Sequence, residues 1–225
     1  MPLVVRAVLS SAMWAGLPVA ANKPFAPVKR FFAAFFLIAC VFGSLPALAD
    51  AVDGYDSTLA QSVRAATQRY RLVVWAQQDG YVQTTDYIAS FGTMYTNHQR
   101  FNPKELSTPT ALVFDMAGRL VACGYQFSDK SAIFPALAAA DVHGWYDIAK
   151  HVHYNIVENG TTYYAQQAWT WDEQPTAAAL IQHKLMPPDA TLKFAFVHPP
   201  THAIIIWAWA PNPNGLFEND NPAMP

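Results

Sequence analysis

The sequence predicts an α+β fold in which a long N-terminal helix packs on a mainly antiparallel, hairpin-built sheet. Three observations carry this expectation. Apolar residues recur at three- and four-residue steps over 57–79, turn signals divide 111–125 and 151–169 into pairs of strand-like segments, and 203–208 is a near-continuous apolar run.

The helix is expected over 57–79, with Asp56 or Ser57 as its cap and Gly80 at its end. Leu59, Val63, Ala66, Tyr70 and Val73 form one stripe, which predicts packing on a sheet. The opposite face lacks the Lys/Arg enrichment of membrane-surface helices. A first hairpin follows, 111–114 and 120–125, around Asp115-Met116-Ala117-Gly118. One or two helical turns are expected over 133–140. The second hairpin pairs 151–157 with 162–169 around Asn159-Gly160, a strong two-residue turn signal. Another helix is expected over 172–185, with Pro175 in its first turn, Asp172 and Glu173 complementing its dipole and Pro187-Pro188 ending it. Leu192, Phe194 and Phe196 alternate in a strand that a His198-Pro199-Pro200-Thr201 loop joins to the apolar strand 203–208. With no internal repeat and no Gly/Ser linker, 50–225 is expected to be a single α+β domain.

Residues 1–49 are expected to be a leader and secretory signal peptide. Lys29 and Arg30 precede an apolar run from Phe31 to Gly43, and Ala47-Leu48-Ala49 supplies a small-residue cleavage site. The run is shorter than the roughly 20 residues that cross a bilayer. Export to the periplasm or beyond follows. Leu37-Ile38-Ala39-Cys40 resembles the lipobox of lipoprotein precursors, so lipid anchoring through Cys40 is the alternative.

Cleavage after Ala49 removes Arg6, Lys23, Lys29 and Arg30 and no acid, leaving ten basic against sixteen acidic side chains. This acidic balance, without any basic run, disfavours nucleic acid as a partner. It also leaves Cys123 as the one cysteine, so no intrachain disulfide is expected and the fold relies on its core. No transmembrane helix is expected in the mature chain.

Several segments resemble a group of exported bacterial proteins with no assigned activity. They are Ala65-Ala66-Thr67-Gln68-Arg69-Tyr70-Arg71, Asp79-Gly80-Tyr81, Pro109-Thr110-Ala111-Leu112-Val113-Phe114, and a C-terminal WxWxxNPxGxF motif running from Trp207 to Phe217, followed by Asn221-Pro222. The resemblance implies export and a single domain, and no chemistry. At two positions where members often carry histidine this chain has Ile205 and Pro211, so no family-wide metal role is carried over.

The remaining chemistry lies in the histidines. On a strand His151 and His153 share a face with Asn155, while Val152, Tyr154 and Ile156 take the core. Pairing outward from Asn159-Gly160 sets His153 opposite Gln166 and Asn155 opposite Tyr164, a polar patch expected beside Trp169. Neutral imidazoles two apart can ligate zinc or copper, but a closed site needs three or four ligands, and the candidates are His143, His98, His198 and His202. His151, His153 and Glu158 also resemble part of the first cupin motif; the motif's glycines are out of register or missing, and no second cupin motif follows.

Nucleophile elbow, HExxH, P-loop and GxGxxG are all lacking. Cys123 falls in an apolar strand, where a thiol usually packs inertly. Tryptophans at 169, 207 and 209 suggest either core or an aromatic platform for a planar ligand; alternation puts Trp207 and Trp209 on one face. The function expected is an exported protein binding a small molecule or metal ion through the histidine strand. A metal-dependent enzyme using the same histidines is the alternative, and an envelope structural or interaction module is a third reading.

Overall fold

In the computed structural model, residues 55–140 and 142–225 are described, all within the unit Ala49–Pro225. The expected leader, its cleavage site and Cys40 lie outside the described residues. The fold is α+β with antiparallel sheets, as the hairpin signals predict. Its elements are helices α1 (Thr58–Thr67), α2 (Val73–Gln78), α3 (Pro135–Ala138) and α4 (Ala177–Gln182), and strands β1 (Val82–Gln83), β2 (Thr93–Thr96), β3 (Ala111–Phe114), β4 (Leu120–Phe127), β5 (Tyr146–Ile148), β6 (His151–Glu158), β7 (Thr161–Ala168), β8 (Thr191–His198) and β9 (Thr201–Ile206).

The long N-terminal helix is not formed. Ser57 caps α1 by accepting from the Ala60 amide, but the helix tightens into a 3-10 turn at Gln68–Tyr70 and stops. Tertiary pairing is the cause. Leu72 adopts an extended conformation and bridges Arg119, while the Arg71 carbonyl accepts from the Leu120 amide, so the backbone there bonds to the β3–β4 loop instead of to itself. Helix α4 is likewise shorter than expected. Thr176 caps it, leaving Asp172 and Glu173 outside, and Lys184 turns left-handed (φ 60°) to close its C-terminus through a bond from Leu185 N to Leu180 O.

Six strands form one sheet in the order β1-β2-β3-β4-β9-β5, and three form a second in the order β7-β6-β8. Both faces of the first sheet are covered. Leu112, Cys123, Tyr125, Ile204 and Ile206 pack beneath the N-terminal helices and α3, whereas Val113, Val121, Ile205 and Trp207 pack with Phe91 and Met224 on the other side. Two-sided burial explains why these strands read as continuous apolar runs rather than alternations. The second sheet packs Val152, Tyr154 and Ile156 against Trp169 and α4.

The chain passes from one sheet to the other twice, through Ala149 and Lys150 between β5 and β6, and through Pro199-Pro200 between β8 and β9. These crossings meet because His151 of β6 pairs with His198 of β8.

Candidate functional site

Strand β6 forms in the expected register, with His153 opposite Gln166 and Asn155 opposite Tyr164. The resulting surface is not solvent-facing. His151, His153, Asn155 and His198 are all buried, because the first sheet and the 97–102 loop close over this face of β6. Nor does it lie beside Trp169, which packs with the apolar face of β6.

The three imidazoles lie in mutual contact. Ring centroids of His151 and His198 are 4.4 Å apart and nearly parallel, those of His151 and His153 are 4.6 Å apart, and those of His153 and His198 are 5.9 Å apart. Desolvation pushes all three pKa values down, and mutual repulsion adds to it for His153 and His198; His198 falls to about 3. At neutral pH the trio is therefore uncharged.

Neutrality fixes the tautomers. His151 Nδ1 lies 2.8 Å from the Ala149 carbonyl and His198 Nδ1 lies 2.6 Å from the Pro199 carbonyl. A carbonyl only accepts, so each Nδ1 carries the ring's proton and each Nε2 is a bare lone pair. His153 Nε2, 2.9 Å from His151 Nε2, must then be the donor in that pair. Its own Nδ1 is buried and makes no hydrogen bond, although the Thr84 backbone favours a proton on this ring. His198 Nε2 stands 3.0 Å from Gln126 Oε1; with the ring's proton on Nδ1 that contact would pair two acceptors, so the hydrogen-bond network assigns the Gln126 amide the reverse way round, NH2 toward the ring.

Around the trio the surroundings are aromatic. Phe196 stacks on His153 at 5.1 Å, and Phe101 meets His198 edge-on at 4.9 Å. The loop carrying Phe101 is held by Arg100, whose Nη1 donates to the hydroxyls of Tyr70 (2.9 Å) and Tyr81 (3.0 Å), and by Asn97, which donates to the Asp79 carbonyl.

The other histidines are dispersed. His98 is exposed and stacks on the outer face of Phe196, one ring removed from the trio. His143 packs on Phe217; His202 hydrogen-bonds Asp147 and stacks on Trp145. His183, absent from the candidates, pairs with Glu173 over Trp171. Among the tryptophans, Trp169 and Trp207 are 1% and 0% exposed and offer no ring face to a ligand. Trp209 is half-buried and donates to Thr67. It does not share a face with Trp207, because β9 ends at Ile206 and a tight turn, Ala208 N to Ile206 O, breaks the alternation.

Sequence reasoning missed Gln126, Thr84, Phe101 and the two carbonyls that orient the rings. Phe196 was legible as a strand residue; His198, expected in the loop, ends β8 instead, and its pairing with His151 was not legible. Among the described residues, no group of three or more His, Cys, Asp or Glu side chains stands at metal-coordinating spacing. The 2.9 Å between His151 and His153 Nε2 is hydrogen-bond spacing; two nitrogens on a tetrahedral zinc would stand about 3.3 Å apart. Two surface clefts, of about 310 Å³ beside Tyr87, Tyr95 and Met116 and about 270 Å³ beside Asp147 and His202, are not lined by the trio. Among the described residues no helix is long and apolar enough to cross a membrane.

No protein-family model matches the chain, and no curated protein or solved structure is significantly similar to it.

Proposed function

We propose that this is an exported bacterial protein that binds one transition-metal ion, zinc or copper, through His151, His153 and His198. The observation carrying this reading is the pairing of His151 and His198 Nδ1 with backbone carbonyls, which leaves two Nε2 lone pairs beside a third imidazole. Metal-ligating histidines are oriented in this way, by a carbonyl or carboxylate on the distal nitrogen.

Binding needs the trio to rearrange, since the His151 and His198 rings are stacked nearly parallel and two of the Nε2 atoms are hydrogen-bonded to each other. The proton that His153 Nε2 lends to His151 moves to its unpaired Nδ1, and the freed Nε2 becomes the third donor. His198 then gives up Gln126 for the ion. The rings are at most 7% exposed, which argues against a ligand larger than a single ion. No hydrogen bond joins the trio to a carboxylate among the described residues, so the arrangement favours holding an ion over metal-assisted hydrolysis with a general base.

Metal content and titration of the mature protein, purified without a histidine tag, test the reading. One equivalent of zinc or copper is expected, lost in the His151→Ala/His153→Ala double variant and in His198→Ala, and retained in His202→Ala. Failure of the untagged protein to bind either metal overturns it.

A further inference from the structure

We infer that the outer edge of β7 is a docking edge for a second copy of this chain: two copies pair antiparallel along Thr161–Ala168 about a two-fold axis, joining their three-stranded sheets into one continuous sheet. β7 is the outer strand beside β6, and among the described residues no other backbone group or side chain hydrogen-bonds to it. None of its residues is buried, and Tyr163 is 46% exposed. An edge of this length ordinarily carries a charge, a proline or a bulge that blocks further pairing. Thr161-Thr162-Tyr163-Tyr164-Ala165-Gln166-Gln167-Ala168 carries none, and its register with β6 is unbroken. The other sheet edges are blunted. β8 has exposed Lys193 at a bulge opposite the Asn155–Ile156 step, β1 is two residues long, and β5 is three residues long with Asp147 exposed at its centre.

The occupant follows from the edge itself. The Asn159-Gly160 turn makes Glu158 and Thr161 a hydrogen-bonded pair, and alternation from there turns the amides and carbonyls of Thr162, Tyr164, Gln166 and Ala168 away from β6. A two-fold axis at Ala165 uses all of them. Thr162 exchanges bonds with Ala168 of the second copy and Tyr164 with its Gln166, about eight backbone bonds in all. The same axis brings the two Ala165 residues face to face at the closer antiparallel spacing, about 4.5 Å between Cα atoms, where a small side chain fits. With no charge on the strand, self-pairing sets no like charges against each other. Because the described residues offer one such edge per molecule, the assembly closes at two copies instead of growing into a fibre.

Sedimentation equilibrium of the mature protein across the micromolar range tests this. A monomer–dimer equilibrium is expected there, since a single-strand contact is smaller than a standard interface. Tyr164→Lys sets like charges about 7–8 Å apart across the axis while leaving the bonds to β6 in place, and should weaken dimerisation at least about tenfold; Lys193→Ala on β8 should not change it. Ala165→Cys should form an intermolecular disulfide under mild oxidation, because its Cα separation lies within disulfide range, whereas Thr161→Cys, far from the axis, should not. The native Cys123 is buried and does not compete. A protein that stays monomeric overturns the self-pairing and leaves the edge to a strand of a different protein. A dimer insensitive to Tyr164→Lys, or one that Ala165→Cys does not trap, overturns it as well. Should Tyr164→Lys fail to fold, the disulfide trap decides.

Discussion

His198 is controlled by burial rather than by a charged partner. Its folded-state pKa of about 3 lies well below the ordinary 6.5, so as pH falls the unfolded chain takes up this proton first. Stability linked to the group is therefore fully present above pH 6.5 and is lost as the pH drops from 6.5 toward 3. At pH 5 the metal-free protein should have lost about 2 kcal/mol through this one residue. Urea denaturation between pH 7 and pH 5 checks the slope, and His198→Gln should reduce it, leaving the share of His151 and His153; a variant with unchanged slope would show that His198 titrates normally. The sequence revealed His198 as a candidate but gave no sign of this shift, because desolvation comes from Phe101 and from the β6 histidines, which lie far away along the chain.

At the scale of elements the β6–β7 hairpin governs the site. A strand has period two, so a one-residue slip would exchange the histidine face of β6 for Val152, Tyr154 and Ile156. Asn159 and Gly160, with φ of 51° and 78°, form the left-handed pair that sets the register. Gly160→Val should cost about 1–2 kcal/mol in backbone strain alone, since a Cβ there meets nothing within 4 Å. Thermal denaturation measures that cost, and metal stoichiometry should stay at one because the register survives; a changed stoichiometry would mean the turn does more than set register. This hairpin was legible down to its residue pairs because turn chemistry and alternation are local. The N-terminal helix was not. Its stripe continues through Val73, but the bonds that break it at Arg71 and Leu72 are made to Leu120 and Arg119.

Across the whole molecule, a polar seam joins the two sheets. His198 meets Gln126, and the Asn155 amide donates to the Gln83 carbonyl at 2.8 Å, both linking the three-stranded sheet to the six-stranded one. Asn155→Ala leaves that carbonyl without its side-chain donor and should destabilise the protein by about 1–3 kcal/mol in urea denaturation. Faster metal release is expected alongside, because the sheet carrying the trio is held less firmly; unchanged stability would show that water replaces the amide at no cost. On the far face of the first sheet, Trp207→Ala removes a buried ring and its hydrogen bond to the Glu218 carbonyl and should cost about 3–5 kcal/mol in urea denaturation. The sequence by itself determined the α+β class, both hairpins and the shared face of His151, His153 and Asn155, since hydrophobic period, glycine turns and strand pleat act over neighbouring residues. Only the tertiary structure decided that this face is buried, that His198 rather than His98, His143 or His202 completes the trio, and that the first helix breaks. Each of these depends on contacts between distant segments, whose desolvation and backbone pairing leave no mark on local spacing.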